Sequence, residues 1–145
     1  MTDIFHEHRR RNETTRDRWQ EMAPHRARVM QLLAEARAAA GPSLCILGAG
    51  NANDVELSAL AGVFERIALV DLDEQALARA VERLTEDQRR RVELHAPIDL
   101  TGVLPILEAW KANPAQDFPN YAAGTWGPDS ANQLIQGCQS GWRKP

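Results

Sequence analysis

The sequence predicts an α/β fold whose sheet has about three parallel strands. Short apolar runs (SLCIL, IALV and VELH) alternate with amphipathic helical patterns between residues 43 and 95. This β-α-β-α-β order is typical of a parallel sheet with helical crossovers. After about residue 105 the alternation stops, and Trp, Gly and Pro become frequent. We therefore expect an incomplete Rossmann-like three-layer αβα unit, preceded by a helical segment and followed by an irregular aromatic tail.

Residues 1–40 have the pattern of helices. The apolar residues Val29, Leu32, Leu33 and Ala36 recur at helical spacing and predict one buried stripe. Pro24 either separates two helices or opens the second, since proline is tolerated in a first turn. Gly-Pro at 41–42 ends this segment.

Three strands are predicted, at residues 43–47, 67–70 and 92–95. The first is a continuous apolar run ahead of glycines, which suits a strand buried on both faces. Asn53 or Asp54 is expected to cap the helix after it.

The first strand leads into the loop GAGNAND. Gly48 permits a tight turn, and Gly50 lets a ligand approach the backbone. The amino end of the next helix would offer N–H groups to an anion, either the carboxylate of S-adenosylmethionine (SAM) or the pyrophosphate of NAD. Asn53 stands where the dinucleotide fingerprint G-x-G-x-x-G needs its last glycine, which disfavours NAD and FAD.

An acidic residue ends the second strand. Asp71 is placed to accept both hydroxyls of a ribose, which serves any adenosine cofactor. Its other role would be to cap the following helix, but Asp73 is the better candidate for that cap.

The glycine loop and Asp71 belong to a longer resemblance. The first two motifs of class I SAM-dependent methyltransferases are similar to LCILGAGNANDVELSAL followed by IALVDLD, and the resemblance covers about residues 20–104. The resemblance implies that the glycine loop lines the methionine part, that Asp71 holds the ribose and that Leu72 packs on the adenine. Asp99 is placed like the adenine-contacting acid of the family, and its alternative role is to cap its own loop. The implied cofactor-binding residues are Gly48, Ala49, Gly50, Asn51, Asp71, Leu72 and Asp99.

The methyltransferase pattern ends after the third strand. A half-sheet leaves an unpaired edge, which favours self-association or partner binding. Methyl transfer needs an acceptor held in line with the methyl group, but the sequence identifies neither an acceptor nor a catalytic residue. We therefore expect a truncated methyltransferase-like protein in which SAM binding is favoured over turnover.

The tail carries a second resemblance. FPNYAAGTWGPDSANQLI is similar to the C-terminal end of bacterial glucose-6-phosphate dehydrogenases, over about residues 105–142. It implies an alternative function, a fragment of that NADP enzyme that is inactive alone. Aromatic residues at such spacing are otherwise packing residues. A third alternative is a non-enzymatic interaction module that lends an edge strand or the aromatic tail to a partner.

The two resemblances together predict a composite chain: a helical segment at 1–40, a partial SAM-binding unit at 41–104 and a dehydrogenase-like tail at 105–145. A gene fusion, a frameshift or a misassembled gene would each produce it. A glucose-6-phosphate dehydrogenase fragment would bring NADP as the alternative cofactor.

Bulk composition excludes several classes. The formal net charge of −3 gives no general attraction to nucleic acid or to an anionic membrane. No apolar run reaches the roughly 20 residues of a membrane helix, and the N-terminus lacks a secretory h-region. Two cysteines are too few for a disulfide framework. We expect a cytoplasmic protein.

Histidines offer weaker candidates. His6 and His8, two residues apart, do not share a helix face, so no metal site is expected there. His25 either closes over a cofactor or lies on the surface.

Overall fold

A computed structural model describes residues 3–36 and 41–112 of the 145-residue chain. Backbone contacts divide the chain into Met1–Glu108 and Ala109–Pro145. The first unit contains one three-stranded, all-parallel sheet. The predicted α/β class, a partial Rossmann-like unit, is therefore confirmed. The aromatic tail beyond residue 112 lies outside the described residues, and the proposed boundaries at residues 40 and 104 remain predictions.

The strands are β1 (Ser43–Leu47), β2 (Arg66–Val70) and β3 (Val92–His95), in the order β1-β2-β3. All three lie where the apolar runs predict them. The expected burial of β1 on both faces is wrong, because Leu44 and Ile46 face the core while Cys45 and Leu47, on the opposite face, are exposed. The register places Leu47 beside Val70 and Val70 beside His95. The three strands therefore end together, and the residues that follow them emerge at one edge of the sheet.

Six helices are described: α1 (Asp3–Thr15), α2 (Ala23–Ala36), α3 (Leu57–Val63), α4 (Glu74–Val81), α5 (Glu86–Arg89) and α6 (Leu104–Ala112). Pro24 lies in the first turn of α2, where the N–H that proline lacks would have no intrahelical acceptor. It therefore opens the second helix. Within residues 3–36 and 41–112, no helix has the length and apolar character to span a membrane.

The apolar core lies on one face of the sheet. Ile67 and Leu69 of β2 are wholly buried and belong to the same cluster as Leu60 of α3 and Leu77 of α4. Alternate residues of a strand face the same side, which explains why 67 and 69 share this core.

Helix α2 covers the edge of the core with Val29, Met30 and Leu33. The predicted stripe is wrong at Leu32, which is 48% exposed, and at Ala36, which is exposed as well. The turn of the helix places Met30 on the core side instead. Among the described residues, the core cluster and its apolar neighbours include no side chain of α1. That helix is held by polar contacts.

Two predicted helix caps have different outcomes. Asp73 caps α4, since its Oδ1 accepts from the N–H groups of Gln75 at 3.1 Å and Ala76 at 3.3 Å. The expected cap of α3 by Asn53 or Asp54 is wrong. Helix α3 begins at Leu57, and its N-cap residue makes no side-chain cap bond. The segment from 51 to 56 therefore separates the glycine loop from α3.

Candidate functional site

The candidate site lies at the carboxyl edge of the sheet, where β1 runs into the glycine loop. The N–H groups of Gly48 and Ala49 donate to the carbonyl of Val70 at 2.8 and 3.1 Å, which folds the loop over the end of β2. Gly48 and Gly50 have φ angles of 68° and 51°. This left-handed region disfavours a Cβ, so the two glycines are needed by the path of the chain.

Asp71 lies directly behind this loop and its side chain is 2% exposed. Its Oδ2 accepts from the N–H of Gly50 at 2.8 Å. Its Oδ1 accepts from the N–H of Asp73 at 2.8 Å and from Nε2 of His8 at 2.9 Å. The buried carboxylate thus joins the loop after β1, the turn after β2 and helix α1.

Two side-chain amides bind the carboxyl end of helix α1 to the loop, and a third binds it to Asp73. Nδ2 of Asn51 donates to the carbonyl of Asn12 at 2.6 Å, and Nδ2 of Asn53 donates to the carbonyl of Thr15 at 2.8 Å. Nδ2 of Asn12 donates to Oδ2 of Asp73 at 3.1 Å. Final-turn carbonyls of a helix lack intrahelical partners. The loop amides supply donors to them, while α3 begins only at Leu57, four residues beyond Asn53.

The Trp19 indole stacks with two arginines. The guanidinium carbon of Arg26 lies 3.4 Å, and that of Arg83 3.9 Å, from the ring centroid. Burial lowers the pKa of Arg83 below its ordinary value, while Glu56 Oε2 lies 3.7 Å from Arg26 Nε and offsets the paired positive charge. Cation–π contacts of this kind strengthen when they are removed from water.

The same two arginines bind the backbone after the glycines. Nη1 of Arg26 donates to the carbonyl of Asn53 at 3.2 Å, and Nη2 of Arg83 donates to the carbonyl of Asn51 at 3.0 Å. Between them Ala52 has a φ of 50°, an uncommon value for a residue with a Cβ. The arginines hold the loop in this conformation.

The structure brings most of the predicted residues together. Gly48, Ala49, Gly50 and Asp71 meet at the edge of the sheet, and half-buried Leu72 follows Asp71. The side chain of Asn51 is engaged elsewhere, since besides its contact with α1 its Oδ1 accepts from Nε of Arg79 at 3.2 Å.

Asp99 caps its own loop. Its Oδ1 accepts from the N–H of Thr101 at 3.0 Å and from the Thr101 hydroxyl at 2.6 Å, and its Oδ2 accepts from the N–H of Leu104 at 2.9 Å. Burial alone would raise the pKa of Asp99, but these donors outweigh it and hold the pKa below its usual range. The segment is tied to the site because Ile98 N–H donates to the carbonyl of Asp71 at 2.9 Å.

Sequence reasoning missed His8 and Asn12. They lie four residues apart on α1, and Thr15 follows at the next turn, so the three share one face. That polar spacing was the signal available in the sequence.

His25 lies away from the glycine loop and Asp71. Its Nε2 is 3.8 Å from Oδ1 of Asp54, and its side chain is 58% exposed. In the part of the chain that the structure describes, no group of three or more His, Cys, Asp or Glu side chains is arranged to hold a metal ion.

Comparison with known proteins gives two partial likenesses. No family model matches the chain. Glucose-6-phosphate 1-dehydrogenase of Treponema pallidum (strain Nichols) is 46% identical over 41 residues, which are 28% of this chain and 8% of that enzyme. The crystal structure of the methyltransferase domain of bacterial CtHen1-C is 32% identical, over 46% of this chain and 37% of that domain, with a TM-score of 0.38.

Proposed function

We propose that the Gly48–Gly50 loop and Asp71 bind the adenosine part of SAM in a methyltransferase-like unit. The observation that carries the proposal is the 2.8 Å hydrogen bond from Gly50 N–H to Asp71 Oδ2. It joins a glycine loop to a buried carboxylate at the carboxyl ends of two adjacent parallel strands. Open α/β sheets bind their ligands in the crevice at this edge.

The proposed roles follow from the chemistry of each group. A ribose has two hydroxyl donors, and Asp71 is an acceptor. A Cβ at Gly48 would meet no atom within 4 Å, so the methionine part can approach the backbone closely there. At Gly50 the side chain of Asn12 lies on that side of the backbone. Leu72 offers an apolar surface to the adenine. Asp99, tied to its own loop, is proposed to shape the adenine end through the Ile98–Asp71 bond.

The resemblance of residues 44–73 to class I methyltransferase motifs selects SAM among adenosine cofactors, and Asn53 supports that choice. Asn53 occupies the place of the last fingerprint glycine, and its amide binds the carbonyl of Thr15. In dinucleotide sites the last glycine of the fingerprint lets the following helix pack closely on the strand. In this chain residues 51–56 lie between the glycines and α3, so the helix does not begin at that position. The proposal is one of binding, because the methyl acceptor and the catalytic residue are unassigned.

A second candidate function rests on the 41-residue likeness to the Treponema enzyme. It would make the chain a dehydrogenase-related fragment that takes NADP. Since the likeness spans 8% of that enzyme, this candidate predicts NADP binding without dehydrogenase activity.

Calorimetric titration of the full chain separates the candidates. We expect saturable binding of SAM and weaker binding of NADP. Adenosine should bind at least about fivefold more tightly than 2′-deoxyadenosine, because loss of one hydroxyl leaves a carboxylate acceptor unpaired. Absence of SAM binding at millimolar concentration would contradict the proposal, and preference for NADP would favour the alternative.

A non-enzymatic interaction module makes a different prediction. Within the described residues β1 is the last strand on its side of the sheet, and an open strand edge pairs readily with another chain. This alternative predicts a stable oligomer in sedimentation, whereas the cofactor site is compatible with a monomer.

A further inference from the structure

The amino-terminal half of α1 bears on access to the proposed ribose site. Nε2 of His8 contacts Oδ1 of Asp71, and Nη2 of Arg9 donates to Oε1 of Gln75. The His8 side chain is 38% exposed, whereas that of Asp71 is 2% exposed. The imidazole therefore lies on the solvent side of the carboxylate and covers it.

The acceptor positions of Asp71 are nearly all in use. A carboxylate offers about four lone-pair positions. The backbone N–H groups of Gly50 and Asp73 take one on each oxygen, and His8 takes a second on Oδ1. The two hydroxyls of a ribose need one free acceptor position on each carboxylate oxygen of Asp71. Oδ2 has such a position, but the one on Oδ1 is occupied by His8.

We propose that His8 is a built-in competitor for the ribose position on Asp71, and that the first half of α1 is an autoinhibitory latch displaced by the cofactor. This inference rests on the proposed function, since the competing ligand is the ribose of SAM. It assigns His8 a role in setting cofactor affinity, separate from the groups that bind the cofactor.

The two halves of α1 are held differently, which lets one half move alone. The carboxyl half is bound to the loop by the amides of Asn51 and Asn53 at 2.6 and 2.8 Å. The amino half has the polar contacts of His8 and Arg9, and among the described residues no side chain of α1 joins the apolar core. Segments with few buried apolar contacts open at low free energy.

The test is SAM affinity of the variant H8A, measured by calorimetry on the full chain. Loss of one competing hydrogen bond to a charged group predicts binding about tenfold tighter than wild type. The matched control is H6A, which removes a histidine from the same helix. The described contact of His6 is an edge-on ring contact with Phe5, so H6A should bind SAM as wild type does.

Hydrogen exchange gives a second readout that does not depend on a variant. Saturating SAM should reduce protection of the amides of residues 3–11 and increase protection of residues 48–51. Greater protection of residues 3–11 would mean that α1 closes over the ligand, which would overturn the latch.

The calorimetric outcomes distinguish the two proposals. If wild type binds SAM and H8A binds equally or more weakly, the latch is overturned and the proposed function stands. If wild type, H6A and H8A all fail to bind at millimolar SAM while remaining folded by circular dichroism, the proposed function fails, and the latch that rests on it fails too.

Discussion

The N–H of Gly50 donates to Oδ2 of Asp71 over 2.8 Å, although 21 residues separate them in sequence. The two meet because β1 and β2 are parallel neighbours whose final residues, Leu47 and Val70, are in register. The buried carboxylate is therefore a structural acceptor for the loop as well as the proposed partner of a ribose. Changes at Asp71 must be tested for both roles.

Replacement of Asp71 by asparagine should destabilise the fold. The amide has one acceptor oxygen, so either Gly50 N–H or Asp73 N–H faces an NH₂ group and loses its partner. An unsatisfied buried donor costs about 1–3 kcal/mol, which should lower the free energy of unfolding of D71N in urea by that amount. The control D54N changes an exposed carboxylate and should stay within about 0.5 kcal/mol of wild type. Equal stability of D71N and D54N would contradict the role assigned to Asp71.

Alanine at the two loop glycines should give different effects on α1. Both positions have a left-handed φ, so each substitution costs about 1–2 kcal/mol of backbone strain. A Cβ at Gly50 would lie 3.2 Å from Oδ1 of Asn12, whereas a Cβ at Gly48 would meet no atom within 4 Å. Relief of the contact in G50A moves Asn12 away from Asp73.

Trypsin sensitivity is the readout for this pair. G50A should be cleaved faster than G48A at the arginines of α1, although the two variants lose similar free energy of unfolding. Equal cleavage rates at matched stability would show that the loop does not hold the helix.

The local parts of this structure are predictable from the sequence. The strands follow from continuous apolar runs, and the Asp73 cap follows from a short acidic side chain ahead of a helical pattern. Even the meeting of Gly50 with Asp71 follows, since parallel strands that are neighbours end at one edge. Each of these features depends on one segment or on one pairing rule.

The contacts of α1 are not predictable in the same way. His8 and Asp71 are 63 residues apart, and the α1 face that meets the loop is polar, so it lacks the apolar periodicity that reveals a buried face. The late start of α3 likewise accompanies a tertiary contact with α1 that the sequence pattern does not reveal. Asn53 has the right chemistry for a helix cap, but its side chain is oriented by a tertiary hydrogen bond to the carbonyl of Thr15, and the helix begins at Leu57.

Replacement of Arg26, one of the two arginines stacked on Trp19, by methionine should destabilise the fold strongly although the two side chains have similar volumes. R26M keeps the apolar stem but leaves the carbonyls of Trp19 and Asn53, now bonded at 2.8 and 3.2 Å, without this donor. It also removes a cation–π contact. Together these losses should lower the free energy of unfolding by about 2–4 kcal/mol.

The matched control is R28M, two residues along the same helix, whose guanidinium is exposed and bonds the side chain of Gln31. It should change stability by less than about 0.5 kcal/mol. A small effect of R26M would mean that the arginine repels Arg83 as strongly as it binds the loop.

Protonation of Asp99 should loosen the turn before α6. The pKa of this carboxyl lies below its usual range in the fold because the Thr101 hydroxyl and the N–H groups of Leu104, Thr101 and Gly102 outweigh the effect of burial. A lowered folded pKa means that the stabilisation is present above the unfolded pKa, about 3.9 for Asp, and is lost as pH falls through the folded pKa. Protection of the Leu104 amide against hydrogen exchange should therefore decrease below about pH 4. In D99N, whose side chain does not titrate, that local pH dependence should disappear. The acid response of α1 should remain, because it depends on another carboxylate, Glu7, whose pKa is lowered to about 2 by Arg10 and Arg11. An unchanged pH profile of Leu104 protection in D99N would show that another carboxylate holds the turn.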